Sequence, residues 1–365
     1  MKQLKLAIIG CGYWGPNLIR NCVEIPEISL EAVVDLDWKR LEHIQRRYPG
    51  IPMATDDYSQ LFDSGLDGVI VCTPPQTHYD IVSACLEQGL HVMVEKPLTT
   101  SATQAHDLIK KAEANDRVLM VGHTFEYNPA VRALKTAIDS GELGSIHYID
   151  AVRVGLGLFN PKLNVLWDLA PHDISILVHL LGETPTWVTA QGSACVQESI
   201  EDVAYMALKF PGGVLAHVRM SWLDPQKTRR ITVVGSEKMV VYDDVEAHEK
   251  IRVYDKKVNT IRKTDTFGEF QFAYHYGNIV SPYIHFEEPL RLQCQHFLKC
   301  VLNGEQPLTD GRNGARVVEV IEAAQRSLGS NGTPVRVGAE VPLDAPGEVR
   351  LDGVVDARDD ALSPA

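Results

Sequence analysis

Apolar positions in the first third of the chain come in short unbroken runs, separated by stretches with helical spacing. Leu4 to Ile9, Ser29 to Val34, Gly68 to Cys72, Leu90 to Val94 and Val118 to Val121 read as buried strands, with a shorter one near Pro52 to Ala54. Between them, Leu18, Ile19 and Cys22 recur at helical spacing until Pro26. A helix over roughly Gln76 to Gln88 is closed by Gly89, and another starts at Ser101, where Ser101-Ala102-Thr103-Gln104 has the form of a capping box. Strands alternating with helices in this way predict a doubly wound parallel sheet of six strands in the order 3-2-1-4-5-6.

After a helix from Asn128 to Ile138 the period changes. Ile146 to Val154, Trp187 to Gln191, Val203 to Phe210, Val214 to Met220, Arg230 to Val234 and Met239 to Tyr242 alternate as half-buried strands, with turn signals at Pro211-Gly212-Gly213 and Gly235-Ser236. They predict a mostly antiparallel, open-faced sheet with helices on one face. Leu290 to Val301 and Ala315 to Leu328 are later amphipathic helices, the second expected to pack back on the first domain. The fold class is therefore α/β: a Rossmann domain over residues 1–123, an α+β domain over 124–345 and a loosely held tail over 346–365. The uncovered sheet face predicts a homo-oligomer, dimer or tetramer, built through the second domain.

Composition narrows the class of partner. A formal charge of −13 argues against nucleic acid and anionic membrane, which need a basic face. No apolar run approaches the ~18 residues of a spanning helix, and the N-terminus has no cleavage site of a signal peptide. Seven scattered cysteines, none spaced Cys-x-x-Cys, suit a reducing compartment, so a cytoplasmic location is expected. There is no metal-ligand pattern and no Gly-x-Ser-x-Gly, and no metal is expected.

The first strand runs into Gly10-Cys11-Gly12-Tyr13-Trp14-Gly15, a Gly-x-Gly-x-x-Gly motif that opens a helix. Gly10 permits the tight turn, Gly12 lets a pyrophosphate approach bare backbone, and Gly15 lets helix and strand pack closely. Asp35 ends the second strand 20 positions after Gly15, where a carboxylate grips a ribose diol. With no arginine immediately following, although Lys39 and Arg40 lie near, NAD is expected over NADP. Val92 to Pro97 is the other strand end of note. An apolar run stops at Glu95-Lys96-Pro97, as a parallel strand does where it opens into a ligand crevice. Thr73-Pro74-Pro75 follows the fourth strand, with His78 one turn on; it reads equally as a stiff turn and as a wall beside the nicotinamide.

In the second half, Trp167-Asp168-Leu169-Ala170-Pro171-His172-Asp173 opens an apolar helix. Asp168 and His172 are four apart and share a face, and Pro171 suits the first turn. Spacing alone also allows an N-cap aspartate with a histidine satisfied by it, and Asp173 fits helix-start electrostatics or a domain contact.

Taken together, Gly10-x-Gly12-x-x-Gly15, Thr73-Pro74 with His78, Glu95-Lys96-Pro97, Asn128-Pro129 and Asp168-x-x-x-His172-Asp173 resemble the Gfo/Idh/MocA (glucose–fructose oxidoreductase/inositol dehydrogenase) family from Leu4 to about Leu328. The resemblance implies a nicotinamide cofactor and hydride transfer at a sugar or cyclitol carbon. It implies that Lys96 and His172 handle the alcohol proton, that Asp168 holds the substrate and orients His172, and that the Lys96–Pro97 bond is cis. It places Tyr13, Trp14, Thr73, Pro74, His78 and Glu95 with Gly10, Gly12, Gly15 and Asp35 at the cofactor. Tyr127, Asn128, Arg153 and Trp167 join Lys96, Asp168 and His172 at the substrate. Within the family, Gly12-Tyr13-Trp14-Gly15 and Gly122-His123-x-Phe125 look most like enzymes of nucleotide-sugar and polysaccharide pathways, and the nearest activity is oxidation at C3 of UDP-N-acetylglucosaminuronate. Asn164 to Trp167 and Ala170-Pro171 depart from the family's pattern, which bears on the substrate. A keto-deoxysugar ketoreductase, an inositol dehydrogenase and a non-catalytic dinucleotide sensor remain alternatives. A histidine needs no perturbation to act as base near neutrality, so His172 is the expected base, with Lys96 as alkoxide stabiliser and proton relay; a desolvated Lys96 is the alternative base.

Overall fold

The structure, a computed structural model, describes residues 3–261 and 271–338. The short apolar runs form β1 (Leu4–Ile9), β2 (Ile28–Val34), β3 (Met53–Thr55), β4 (Gly68–Val71), β5 (His91–Glu95) and β6 (Leu119–Gly122). They pair in parallel in the order β3-β2-β1-β4-β5-β6, as the alternation predicts. The runs are unbroken because both faces are covered. Helices α1 (Gly15–Glu24) and α2 (Trp38–Arg47) bury Leu18, Ile19, Leu41 and Ile44 on one face. On the other, α3 (His78–Glu87) and α4 (Ala102–Ala114) bury Val82, Leu86, Ala105 and Leu108.

The capping box at Ser101 does not form. Ser101 is the N-cap of α4, but its side chain makes no cap bond; Glu322, from a helix more than two hundred residues away, accepts from the Ala102 N–H at 2.9 Å. A tertiary carboxylate serves the helix start in place of the local side chains.

Beyond β6 the chain continues through α5 (Pro129–Asp139), β7 (Ile146–Val154), α6 (Val165–Leu181), β8 (Trp187–Ser193), β9 (Val203–Lys209), β10 (Leu215–Ser221), β11 (Thr228–Gly235) and β12 (Met239–Asp243). Strands β13 (Ile251–Ile261) and β14 (Gln271–Val280), helices α7 (Pro289–Asn303) and α8 (Gly311–Gly329) and a short β15 (Val335–Arg336) follow. The second sheet runs β14-β13-β12-β11-β7-β10-β9-β8-β15, antiparallel except for the β7–β10 pair. Its inner positions, among them Ile149, Met206, Val218 and Ile231, pack on α6 and α8, while Tyr148, Trp187, Tyr205 and Leu215 are exposed on the outer face.

Alternation does not reveal β13 and β14. They form the sheet's edge, where Val258, Tyr274 and Tyr276 are all exposed, and a bulge at Tyr254/Lys256 breaks the period. Helix α8 packs back on the parallel sheet through Ala315 and Val318, as expected, and α7 does so too through Leu290, Cys294 and Phe297. Part of the first sheet's cover is thus supplied by the end of the chain. The expected tail over 346–365 lies outside the described residues. Among the described residues, no helix is long and apolar enough to cross a membrane.

Candidate active site

The glycine loop is fixed by contact. Gly10 adopts φ +103°, and a Cβ there would lie 2.7 Å from the Cys72 carbonyl carbon. A Cβ on Gly15 would lie 2.2 Å from the Gly10 oxygen. At Gly12 the nearest atom to such a Cβ is the Arg40 Nη1, 3.6 Å away, so the backbone is open to a pyrophosphate. Asp35 ends β2 with one carboxylate oxygen accepting the Cys11 N–H at 2.7 Å and the other the Asp37 N–H at 2.9 Å. Arg40, a turn into α2, comes within 3.5 Å of the same carboxylate. Spacing places no arginine next to Asp35; the helix brings one there. The residues fit NAD, with an open loop at a helix start and an anchored carboxylate for the ribose.

Glu95 ends β5 and accepts from the Trp14 indole N–H at 3.1 Å. Its carboxylate fills the space over Gly122, where a Cβ would lie 2.8 Å from Oε1, and burial pushes its pKa up to about 7. Trp14 and Glu95 therefore join the glycine loop to the strand end that carries Lys96, while Tyr13 projects into solvent.

His78 does not wall the cofactor, contrary to expectation. It is fully buried, with Nδ1 2.9 Å from the Pro97 oxygen and Nε2 2.9 Å from the Thr73 oxygen. It clamps the Thr73-Pro74 turn to the segment after Lys96, whose bond to Pro97 is cis. Burial pushes its pKa down.

Lys96 reaches across to α6. Its Nζ donates to the Asp168 main-chain oxygen at 3.0 Å and lies 3.5 Å from the Asp168 carboxylate. Asn164, not Asp168, caps α6, accepting the Trp167 N–H through its side chain. The helix therefore starts earlier than the sequence suggests. Pro171 falls in its second turn, where it leaves the Trp167 carbonyl without its helical donor. Asp168 is held by the Trp222 indole N–H at 3.1 Å. It does not orient His172, whose ring makes no hydrogen bond to any described residue and meets Phe125 edge-on at 5.1 Å. Burial first, then Lys96 and Arg153, push the His172 pKa well below its ordinary value.

Four expected substrate ligands are structural. Tyr127 is buried, its hydroxyl 3.2 Å from that of Thr309. Asn128 caps α5 through the Ala130 N–H and donates to Tyr242. Arg153 is buried, forked onto Asp173 at 2.7 and 3.0 Å and stacked over Phe125. Trp167 packs at the junction of the two hydrophobic cores. The Asn-Pro and Arg signals are real, but they serve a cap and a buried ion pair. The structure brings in two residues that sequence reasoning did not assign: Trp222, just past β10, and His123, just past β6. A lone tryptophan after a strand reads as core, and only the tertiary fold puts it on Asp168. Among the described residues no cluster of potential metal ligands occurs.

Comparison with known proteins bears on the family and the fold. Residues 4–123 match the family described as "Oxidoreductase family, NAD-binding Rossmann fold", and residues 131–241 match the GFO/IDH/MocA C-terminal domain. By sequence the chain is similar to a scyllo-inositol 2-dehydrogenase (NAD(+)) of Bacillus subtilis, at 28% identity over 92% of this chain and 96% of that one. It is also similar to a UDP-N-acetylglucosamine 3-dehydrogenase of Acidithiobacillus ferrooxidans, at 24% identity over 72% and 80%. The solved structure of the Acidithiobacillus ferrooxidans enzyme shares the fold, with a TM-score of 0.75 at 22% identity over 90% of this chain and 99% of that one. So does GenD2 from gentamicin A biosynthesis in complex with NAD, with a TM-score of 0.77 at 24% identity over 93% and 97%.

Proposed function

This chain belongs to the Gfo/Idh/MocA family of NAD-binding oxidoreductases, and on that premise we propose that Lys96 handles the hydroxyl proton of a sugar ring whose C3 carbinol is oxidised. Its action on CH–OH groups of sugars and polyols comes with the family; the substrate and the residue roles are our assignment. One observation carries the roles: the Lys96 amine stands at the end of β5, beside the glycine loop, held by both the main chain and the carboxylate of Asp168.

The glycine loop and Asp35 would hold NAD, which would supply the acceptor for the carbinol hydride. The Lys96 amine takes the hydroxyl proton, and Asp168, partly open to solvent, steadies the ammonium and leads the proton outward. His172 stays neutral. Protonating it would create a buried cation beside Lys96 and Arg153, which its depressed pKa reflects. It serves as a hydrogen-bond partner to the reacting oxygen, so the roles of base and partner are reversed from those that ordinary pKa values suggest.

The preferred substrate is a nucleotide sugar such as UDP-N-acetylglucosaminuronate, supported by the likeness to a UDP-N-acetylglucosamine 3-dehydrogenase in both sequence and fold. An inositol is the second candidate, supported by two inositol dehydrogenases at 28% and 27% identity over about nine-tenths of this chain. Absorbance of reduced nicotinamide, followed with UDP-N-acetylglucosaminuronate, UDP-N-acetylglucosamine, scyllo-inositol and myo-inositol, separates them. With the active substrate, Lys96→Ala should lower kcat by about 10³–10⁴-fold and His172→Ala by about 10–10²-fold, both with NAD affinity kept. A larger loss for His172→Ala, or a limb of the pH–kcat profile near 6.5 that it abolishes, would return the role of base to His172. The outer face of the second sheet, with Tyr148, Trp187, Tyr205 and Leu215 exposed, supports self-association. Light scattering that finds only monomer would end that proposal.

A further inference from the structure

His123 follows Gly122, the last residue of β6, and Gly122 is the register partner of Glu95 on β5. His123 and Lys96 are therefore the first residues past the ends of two neighbouring strands. Its side chain is 1% exposed, and neither ring nitrogen has a hydrogen-bond partner among the described residues. Burial, with Lys96 next, pushes its pKa down to about 3, so the ring is neutral and offers one N–H and one lone pair. His172, on α6, adds a third such nitrogen, Nδ1, and the two imidazoles lie within electrostatic reach of each other and of Lys96.

A buried polar atom without a partner costs about 1–3 kcal/mol, and a phenyl ring of similar shape would carry no such cost. This chain does satisfy a buried imidazole elsewhere: His78 has a backbone carbonyl 2.9 Å from each nitrogen. At His123 no carbonyl, hydroxyl or carboxylate is supplied, although the ring is just as buried. A histidine there, in place of an apolar ring, leaves two polar ring atoms near Lys96 whose partner the described residues do not supply.

We propose that His123 is a substrate-contacting residue whose neutral imidazole hydrogen-bonds the hydroxyl next to the carbinol handled by Lys96, so that the site selects vicinal diols of ring sugars and polyols. This rests on the assignment of Lys96 to the reacting carbon. A neutral ring suits the task because it can donate to one hydroxyl oxygen or accept from one hydroxyl proton without bringing a second charge beside the ammonium.

The test uses the full chain with saturating NAD, UDP-N-acetylglucosaminuronate, UDP-N-acetylglucosamine and scyllo-inositol as probes, and the variants His123→Phe and His123→Asn. For the probe that the wild type oxidises, His123→Phe should raise KM about 10–10²-fold while NAD affinity holds and Tm holds or rises. His123→Asn, which keeps a donor and an acceptor, should recover part of the loss. A histidine that merely fills space would give the opposite pattern, with Tm and activity falling together and no recovery in the asparagine variant. A KM within twofold of wild type in His123→Phe overturns the inference and leaves the assignment of Lys96 standing. If the wild type binds NAD but oxidises none of the three probes, the polyol premise falls and takes this inference with it.

Discussion

On the cofactor wall of the proposed site the groups are mostly main chain; on its substrate wall they are side chains held by further side chains. The cofactor wall is set by Gly10 and Gly15, which leave no room for a Cβ, and by Asp35, anchored through two backbone N–H groups. On the substrate wall Lys96 leans on Asp168 and Asp168 on Trp222. A main-chain site depends on local spacing and tolerates almost no change at its glycines. A side-chain site can be retuned one residue at a time. That difference suits a chain whose relatives are named for inositols, D-apiose and UDP-N-acetylglucosamine.

The sharpest way to break this contrast is Gly15→Ala. The added Cβ would sit 2.2 Å from the Gly10 oxygen; that oxygen is main chain and a Cβ has no torsion of its own to relieve the clash, so the turn itself must move. NAD affinity should fall by more than about a hundredfold and stability by about 1–3 kcal/mol, measured by titration of the nicotinamide and by thermal melting. If NAD still binds within tenfold of wild type, the loop is more pliable than a main-chain site should be.

The same contrast explains what could be read along the chain. The glycine motif, Asp35, the six parallel strands and Lys96 are legible because each depends on neighbours a few residues away or on an unbroken apolar run. Tyr127, Asn128 and Arg153 carry chemistry-bearing side chains, but Thr309, Ala130 with Tyr242, and Asp173 take them up, and no local pattern announces those partners. Arg40 illustrates the reverse: five positions past Asp35 in sequence, one helical turn brings it back to the carboxylate. Glu322 capping α4 across the fold belongs to the same class. Strands β13 and β14 escape for a different reason, since an edge exposed on both sides has no buried face to write alternation into the sequence.

A milder change tests the substrate wall by itself. Trp222→Phe keeps a ring in a buried position but removes the N–H that Asp168 accepts. A hydrogen bond to a carboxylate is worth about 1.5–3 kcal/mol, so kcat/KM should fall by about ten- to a hundredfold through a less ordered Asp168–Lys96 pair. NAD affinity should stay within about twofold, since no main-chain contact of the glycine loop changes. Steady-state kinetics with separate NAD titration decides it, and a matching loss of NAD affinity would show that the two walls are not independent.

The smallest effect on activity is expected where the walls meet. Glu126, in the turn Thr124–Tyr127 after β6, is 1% exposed, accepts from the Asn313 side chain of α8 at 3.1 Å and faces His179 of α6 at 3.4 Å. His179 does not supply a cation, because burial pushes its own pKa down; Asp310 raises the Glu126 pKa further and Arg316 lowers it only slightly against burial. The net result is a carboxyl raised from 4.5 to about 8. Below pH 4.5 the folded and unfolded chains both hold this proton, and it does not affect stability. Between 4.5 and 8 the unfolded chain has released the proton while the folded chain keeps it, so stability falls as pH rises; above 8 the loss is complete and constant. Glu126→Gln keeps the shape and the Asn313 contact without the titration. Its Tm relative to wild type should therefore climb between pH 5 and pH 8.5, by the equivalent of about 2 kcal/mol or more, each tenfold difference in proton affinity being worth about 1.4 kcal/mol. Melting curves in matched buffers measure that difference. One that stays flat with pH would mean that Glu126 is ionised in the fold, and that a proton on the glutamate does not help to hold this joint between the main-chain wall and the side-chain wall.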